Sequence, residues 1–98
     1  MTIEKKLEGT SLSVALAGRL DTVTAPDLDA ELKPVLEGIT ELVFDFEQLE
    51  YVSSAGLRVL LHAQKVMNAQ GTMKVTHVRP EILEIFEITG FNDILTIE

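Results

Sequence analysis

The stretch from Leu42 to Val78 constrains the fold more than any other part of the chain. Leu42-Val43-Phe44-Asp45-Phe46 is rich in β-formers, Ser54 to Gln70 carries a helical pattern, and Met73-Lys74-Val75-Thr76-His77-Val78 alternates as a strand. Gly71 stands where a left-handed residue ends a helix. A strand, a long helix and a second strand in succession make a crossover, which sets two strands parallel in one sheet and lays the helix across a face.

The flanking segments extend the same scheme. Ser11-Leu12-Ser13-Val14 alternates, and Ala15-Leu16-Ala17 then turns wholly apolar, as in a strand covered on both faces over its second half. Thr2 to Glu8 reads as a weaker edge strand joined to it by a turn at Gly9-Thr10. Thr24-Ala25-Pro26-Asp27 combines a hydroxyl cap, an early proline and an acid three residues after the cap, so a helix is expected to start there. Leu28, Leu32, Val35 and Leu36 form its stripe, and Pro34 kinks or ends it. Arg79-Pro80 opens a third helix with Ile82, Leu83, Ile85 and Phe86 on one side, ended by Gly90, and Ile94 to Ile97 reads as a last short strand. The expected fold is α/β, a mixed and mainly parallel sheet of four to five strands with an antiparallel N-terminal strand. Three to four helices pack against it, and residues 1–98 form one domain.

Composition narrows the function classes. With 8 Lys+Arg against 16 Asp+Glu, the net charge of -8 repels a phosphate backbone and an anionic lipid surface, so neither nucleic acid nor membrane is an expected partner. The absence of cysteine removes disulfides, thiol nucleophiles and cysteine-ligated zinc. The N-terminus lacks the apolar core of a signal peptide, and runs such as Val59-Leu60-Leu61 fall far short of the roughly 20 residues of a membrane span. A soluble cytoplasmic protein is the expectation.

The strongest local signal is Leu49-Glu50-Tyr51-Val52-Ser53-Ser54-Ala55-Gly56-Leu57-Arg58, where two serines stand at the change from a strand-following loop to a helix. Serine there is first of all an N-cap, since its oxygen accepts an unpaired amide of the first turn. Capping does not explain Gly56, because glycine in a first helical turn costs about 1 kcal/mol relative to alanine. Its presence points to a close approach to the backbone, and a serine hydroxyl beside bare backbone makes both a docking surface and a phosphorylation site. The apolar arc of the following helix exceeds what one sheet face needs. Val59, Ala63 and Val66 either serve a partner or lie beneath a neighbouring helix. Arg58, His62 and Lys65 form the opposite stripe, with Arg58 one turn beyond Ser54. Asp21, after Gly18-Arg19-Leu20, either bonds local backbone in a turn or meets a basic group of a partner.

Three motifs taken together resemble the bacterial anti-sigma factor antagonists of the STAS domain family. They are Gly18-x-Leu20-Asp21, Val52-Ser53-Ser54-Ala55-Gly56-Leu57 and Phe86-Glu87-Ile88-Thr89-Gly90-Phe91-Asn92-Asp93-Ile94. The resemblance spans nearly the whole chain. It implies a partner switch in which the unphosphorylated antagonist binds an anti-sigma factor that is also a serine kinase, freeing a sigma factor. Phosphorylation breaks the complex and a serine phosphatase restores it. The phosphoacceptor of the family matches Ser54, with Ser53 the less favoured neighbour, and its loop aspartate matches Asp21. The implied partner-binding residues are Asp21, Thr22, Ser53, Ser54, Ala55, Gly56, Leu57, Arg58 and Val59. The chain departs from the commonest pattern at Ser53, which replaces an aspartate, at Arg58, which replaces a glycine, and at Arg19, which replaces a glutamate. The alternative is a stand-alone STAS regulatory or scaffold module of an assembly without a sigma factor.

Other chemistries are weakly supported. A serine hydrolase needs His62 or His77 as base within about 3 Å of Ser53 or Ser54, and the G-x-S-x-G elbow is missing. A receiver domain built on Asp45 lacks the acidic pair that would hold Mg²⁺, and Asp45 reads instead as a strand end or turn contact. A small nucleotide-binding domain lacks both phosphate-binding glycine patterns. No enzymatic activity, cofactor or metal is expected.

Overall fold

A computed structural model describes residues 1–98. The chain runs β1 (Thr2–Glu8), β2 (Ser11–Leu20), α1 (Ala25–Leu32), β3 (Glu41–Val52), α2 (Ser54–Gln70), β4 (Thr72–Thr76) and α3 (Pro80–Thr89), followed by a 3-10 turn at Phe91–Asp93. The strands lie in the order β1-β2-β3-β4, antiparallel between β1 and β2 and parallel in the other two pairs. Each parallel step is bridged by a helix, α1 from β2 to β3 and α2 from β3 to β4. The mixed α/β sheet expected from the sequence is therefore present, with four strands and three helices.

Alternation along the strands sets where the core lies. Leu12, Val14, Leu16 and Leu20 of β2, Leu42, Phe44, Phe46, Leu49 and Val52 of β3, and Met73 and Val75 of β4 are buried. They form one cluster with Leu28 and Leu32 of α1, Leu60 and Met67 of α2, and Ile82 and Phe86 of α3. Phe46 links the layers, its ring centroid 6.0 Å from Phe44 and 6.4 Å from Phe86. On the other face Ser13 is exposed, and Ala15, Val43, Asp45, Lys74 and Thr76 are half-buried. The second half of β2 is thus covered on one face only. Ala15 and Ala17 are small residues on an open face, which hydropathy alone cannot separate from buried ones.

Several boundaries differ from the sequence reading. β3 continues to Val52, so Leu49 to Val52 is strand and not loop, and Asp45 lies inside it rather than at its end, although its Oδ1 does accept the local Glu47 amide at 3.0 Å. β4 stops at Thr76, and His77 takes a left-handed backbone with φ 55°. The last expected strand is reduced to one bridge, Val75 to Ile97, closed by hydrogen bonds from Val75 to Thr96 and from Glu98 to Val75. Gly71 does end α2, but its backbone is extended, and what demands glycine is the carbonyl of Thr40, against which a Cβ would collide. Gly90 is left-handed at φ 81° as expected. No helix of the chain is long and apolar enough to cross a membrane.

Candidate functional site

β2 and β3 run parallel and end together, which brings Asp21 and the two serines to one edge of the molecule. Ala15 pairs with Asp45 but Ala17 with Gln48, and Gly18 pairs with Leu49 but Arg19 with Tyr51, so β3 holds one extra residue at each of two irregularities. These let Leu20 meet Val52, and one residue later the Ser53 amide donates to the Leu20 carbonyl at 2.8 Å. The chain then leaves β2 at Asp21 beside the start of α2.

The two serines divide the roles that the sequence left open. Ser53 is the N-cap in extended geometry, φ -91° and ψ 174°, and its Oγ accepts from the Gly56 amide at 3.3 Å. Ser54 is the first residue of α2, and its side chain is exposed and makes no hydrogen bond within the chain. Ala55 and Val59 are half-buried and Arg58 is exposed, whereas Gly56 and Leu57 are buried. The close approach expected at Gly56 therefore comes from inside. A Cβ there would lie 2.7 Å from Leu20 Cγ and 2.9 Å from the Leu20 carbonyl oxygen, so the glycine seats α2 on β2 and offers no bare backbone to a partner.

Asp21 organises the neighbouring loop. Its Oδ1 accepts from the amides of Val23 at 3.0 Å and Thr24 at 3.1 Å, while its Oδ2 lies 3.7 Å from Arg19 Nε. Chiefly the Thr24 amide, with the Thr24 hydroxyl, the Val23 amide and the Arg19 charge, holds the carboxyl below its ordinary value against a smaller desolvation effect. The hydroxyl expected to cap α1 does other work. Thr24 Oγ1 donates to the Arg19 carbonyl at 2.7 Å and accepts from the Asp21 amide at 2.9 Å, with no cap bond to the helix. Thr22 is exposed in the same loop, and Val23 is 80% exposed. The Arg19 guanidinium also stacks over Tyr51, 4.3 Å from the ring centroid. Sequence patterning carried no signal for that pair, which exists because of the register shifts.

Further along α2, Ala63 is buried and Val59 and Val66 are half-buried under α1, where they share a groove of about 320 Å³ with Leu32 and Leu36. The neighbouring helix thus covers Ala63 and part of Val59 and Val66, and leaves the rest of the apolar arc open. Arg58, His62 and Lys65 form an exposed outer stripe, with His62 also at the rim of that groove. His62 stands on that outer stripe two turns from Ser54. His77 Nδ1 lies 3.1 Å from Asp45 Oδ1, so neither imidazole is hydrogen-bonded to a serine of the site. Asp45, Glu47 and His77 bring one donor atom each within 4.8 Å of one another on the solvent-exposed sheet side.

A family model described as "Mlab, STAS domain" matches residues 3–96. BtrV of Bordetella bronchiseptica, named as a proposed anti-sigma factor antagonist, is 37% identical over 94% of this chain and 80% of its own length. The anti-sigma-B factor antagonist of Bacillus subtilis is 29% identical over 99% of this chain and 90% of its own. Among solved structures, the Bacillus anti-sigma factor antagonist SpoIIAA superposes with a TM-score of 0.78 in its unphosphorylated form. That match covers 99% of this chain and 87% of SpoIIAA at 17% identity, and the phosphorylated form gives 0.77.

Proposed function

Since the chain belongs to the STAS domain family, we propose that it is an anti-sigma factor antagonist whose binding is switched off by phosphorylation of Ser54. In this reading residues 1–98 act as one cytoplasmic binding unit without enzymatic activity. The unphosphorylated protein sequesters an anti-sigma factor that is a serine kinase, and a sigma factor is freed. In the kinase step Ser54 Oγ attacks the γ-phosphorus of ATP, the hydroxyl proton goes to solvent or a kinase base, and ADP leaves. A serine phosphatase reverses the state by hydrolysis, releasing inorganic phosphate.

One observation carries the assignment of the acceptor. Ser53 spends its hydroxyl on the Gly56 amide, whereas the Ser54 hydroxyl is exposed and unengaged beside the Asp21 loop. A phosphate on Ser54 adds close to two negative charges at the first turn of the helix proposed to dock. A partner surface must then desolvate or face that charge, and about 1.4 kcal/mol of penalty already costs tenfold in affinity. No rearrangement of the domain is needed, so control is local. Thr22, Asp21 and the exposed part of Ser53–Val59 form the proposed contact surface, with Gly56 and Leu57 holding it in place from beneath.

Incubating the purified protein with its candidate kinase and ATP, followed by mass spectrometry, tests the reading directly. Phosphate on Ser54 and loss of kinase binding by Ser54→Asp are expected. Phosphate elsewhere, or full binding by Ser54→Asp, would overturn it.

A further inference from the structure

The net charge of -8 conceals an uneven distribution of the cations. Of the eight Lys and Arg side chains, Lys5, Lys6, Arg19, Lys33 and Lys74 each face a carboxylate at 3.0 to 3.7 Å. Arg79 donates to the Glu47 carbonyl at 3.1 Å. Arg58 and Lys65 are the two without an intramolecular partner. Both lie on α2, which contains no aspartate or glutamate although the chain has 16. At about 100° per residue, Ser54, Arg58, His62 and Lys65 fall within an arc of about 80°, along roughly 16 Å of helix. Beside this strip Leu61 and Val66 are half-buried, and together with Arg58, His62 and Lys65 they line a shallow depression of about 350 Å³.

We infer that this face of α2 docks an acidic segment of the partner protein, one that carries apolar anchors for Leu61 and Val66 between carboxylates for Arg58 and Lys65. The inference rests on the reading of Ser54 as the switch and names what the switch acts on. Elsewhere the surface is dominated by carboxylates and repels an acidic partner, so the strip is where such a partner gains attraction, and the contrast fixes its register. Single exposed ion pairs add little affinity, but a complementary strip with an apolar floor adds specificity and encounter rate. A phosphate on Ser54 stands one turn from Arg58, and its near two charges offset those of Arg58 and Lys65. Phosphorylation then releases the partner by neutralising the strip, with Arg58 drawn to the phosphate in place of the partner's carboxylate.

The test titrates the full, 15N-labelled chain with two synthetic peptides of equal length, one placing Glu and Leu at helical spacing and one with Lys in place of each Glu. Saturable amide shifts at Arg58, Leu61, His62, Lys65 and Val66 are expected with the Glu peptide alone. Binding should weaken about tenfold in the doubly substituted R58E/K65E protein and by a similar factor in about 0.5 M NaCl, with the circular dichroism of the variant unchanged. Ser54→Asp should weaken it as well. Absence of saturable shifts, an equal response to the Lys peptide, or shifts centred off α2 would overturn the docking face whatever a kinase assay returns. Binding to the strip that Ser54→Asp leaves at full strength would leave the face standing and overturn the switch.

Discussion

Gly56 rests directly on Leu20, so that the first turn of α2 and the last residue of β2 meet with no room for a side chain between them. A Cβ on Gly56 would lie 2.7 Å from Leu20 Cγ, 3.1 Å from Leu20 Cδ2 and 2.9 Å from the Leu20 carbonyl oxygen. The leucine carbons can shift a little, but the carbonyl is fixed because it accepts the Ser53 amide at 2.8 Å. This contact ties the position of Ser54 to the position of Asp21.

Gly56→Ala therefore sets two effects against each other. Alanine gains about 1 kcal/mol in helix propensity, and forced overpacking costs about 1–3 kcal/mol. The immovable oxygen puts the cost toward the upper end, so a net loss of about 1–2 kcal/mol is expected, or a fall in Tm of roughly 5–10 °C for a domain of this size. Thermal and urea unfolding measure it. A variant as stable as the wild type would show that the contact relaxes without cost.

Gly71 and Gly90 both end helices, yet for different reasons. Gly71 has extended backbone, and a Cβ there collides with the Thr40 carbonyl, which also accepts the Thr72 amide at 3.0 Å. Gly90 has φ 81° and open space around it. Gly71→Ala should cost about 3 kcal/mol by overpacking against backbone, while Gly90→Asn should cost under about 1 kcal/mol because asparagine tolerates the left-handed region. Comparable losses in the two variants would contradict the distinction.

The helix and strand order was legible because its signals are local. Ser54 to Gln70 is bounded by a hydroxyl before it and a glycine after it, and both lie within a turn of the residues they terminate. What was not legible depends on contacts between distant residues. Glu47, Gln48 and Glu50 break the alternation of β3 because the strand slips twice against β2, so its continuation to Val52 looked like a loop. Gly56 and Gly71 are required by Leu20 and Thr40, which no spacing rule connects to them. Asp21 and Thr24 each hold loop amides, the aspartate those of Val23 and Thr24 and the threonine that of Asp21, and only the path of the chain out of β2 sets this division.

The serines should separate cleanly in stability and function. Ser53→Ala removes the oxygen that accepts the Gly56 amide and should cost about 0.5–2 kcal/mol. Ser54→Ala removes an exposed hydroxyl with no partner and should stay within about 0.5 kcal/mol of wild type. In a kinase reaction the order reverses, with phosphate incorporation abolished in Ser54→Ala and retained in Ser53→Ala. Denaturant titration and phosphorylation of the same two proteins read both halves, and a large stability loss in Ser54→Ala would reassign the cap.

Asp21 gives the domain a defined acid sensitivity. Its carboxyl is held below the ordinary 3.8, chiefly by the Thr24 amide, so the folded state favours the charged form more than the unfolded state does. The resulting stabilisation is fully present above the unfolded value and is lost as pH falls through the lower folded value. Asp21→Ala should therefore be less stable than wild type by a constant margin near neutral pH. That margin should narrow on acidification below 3.8, where the wild-type carboxylate takes up a proton. Paired thermal melts across the acid range check the sign. A margin that holds unchanged to the most acid folded sample, or one that widens, would mean that the Val23 and Thr24 amides do not draw their stabilisation from the ionised carboxylate.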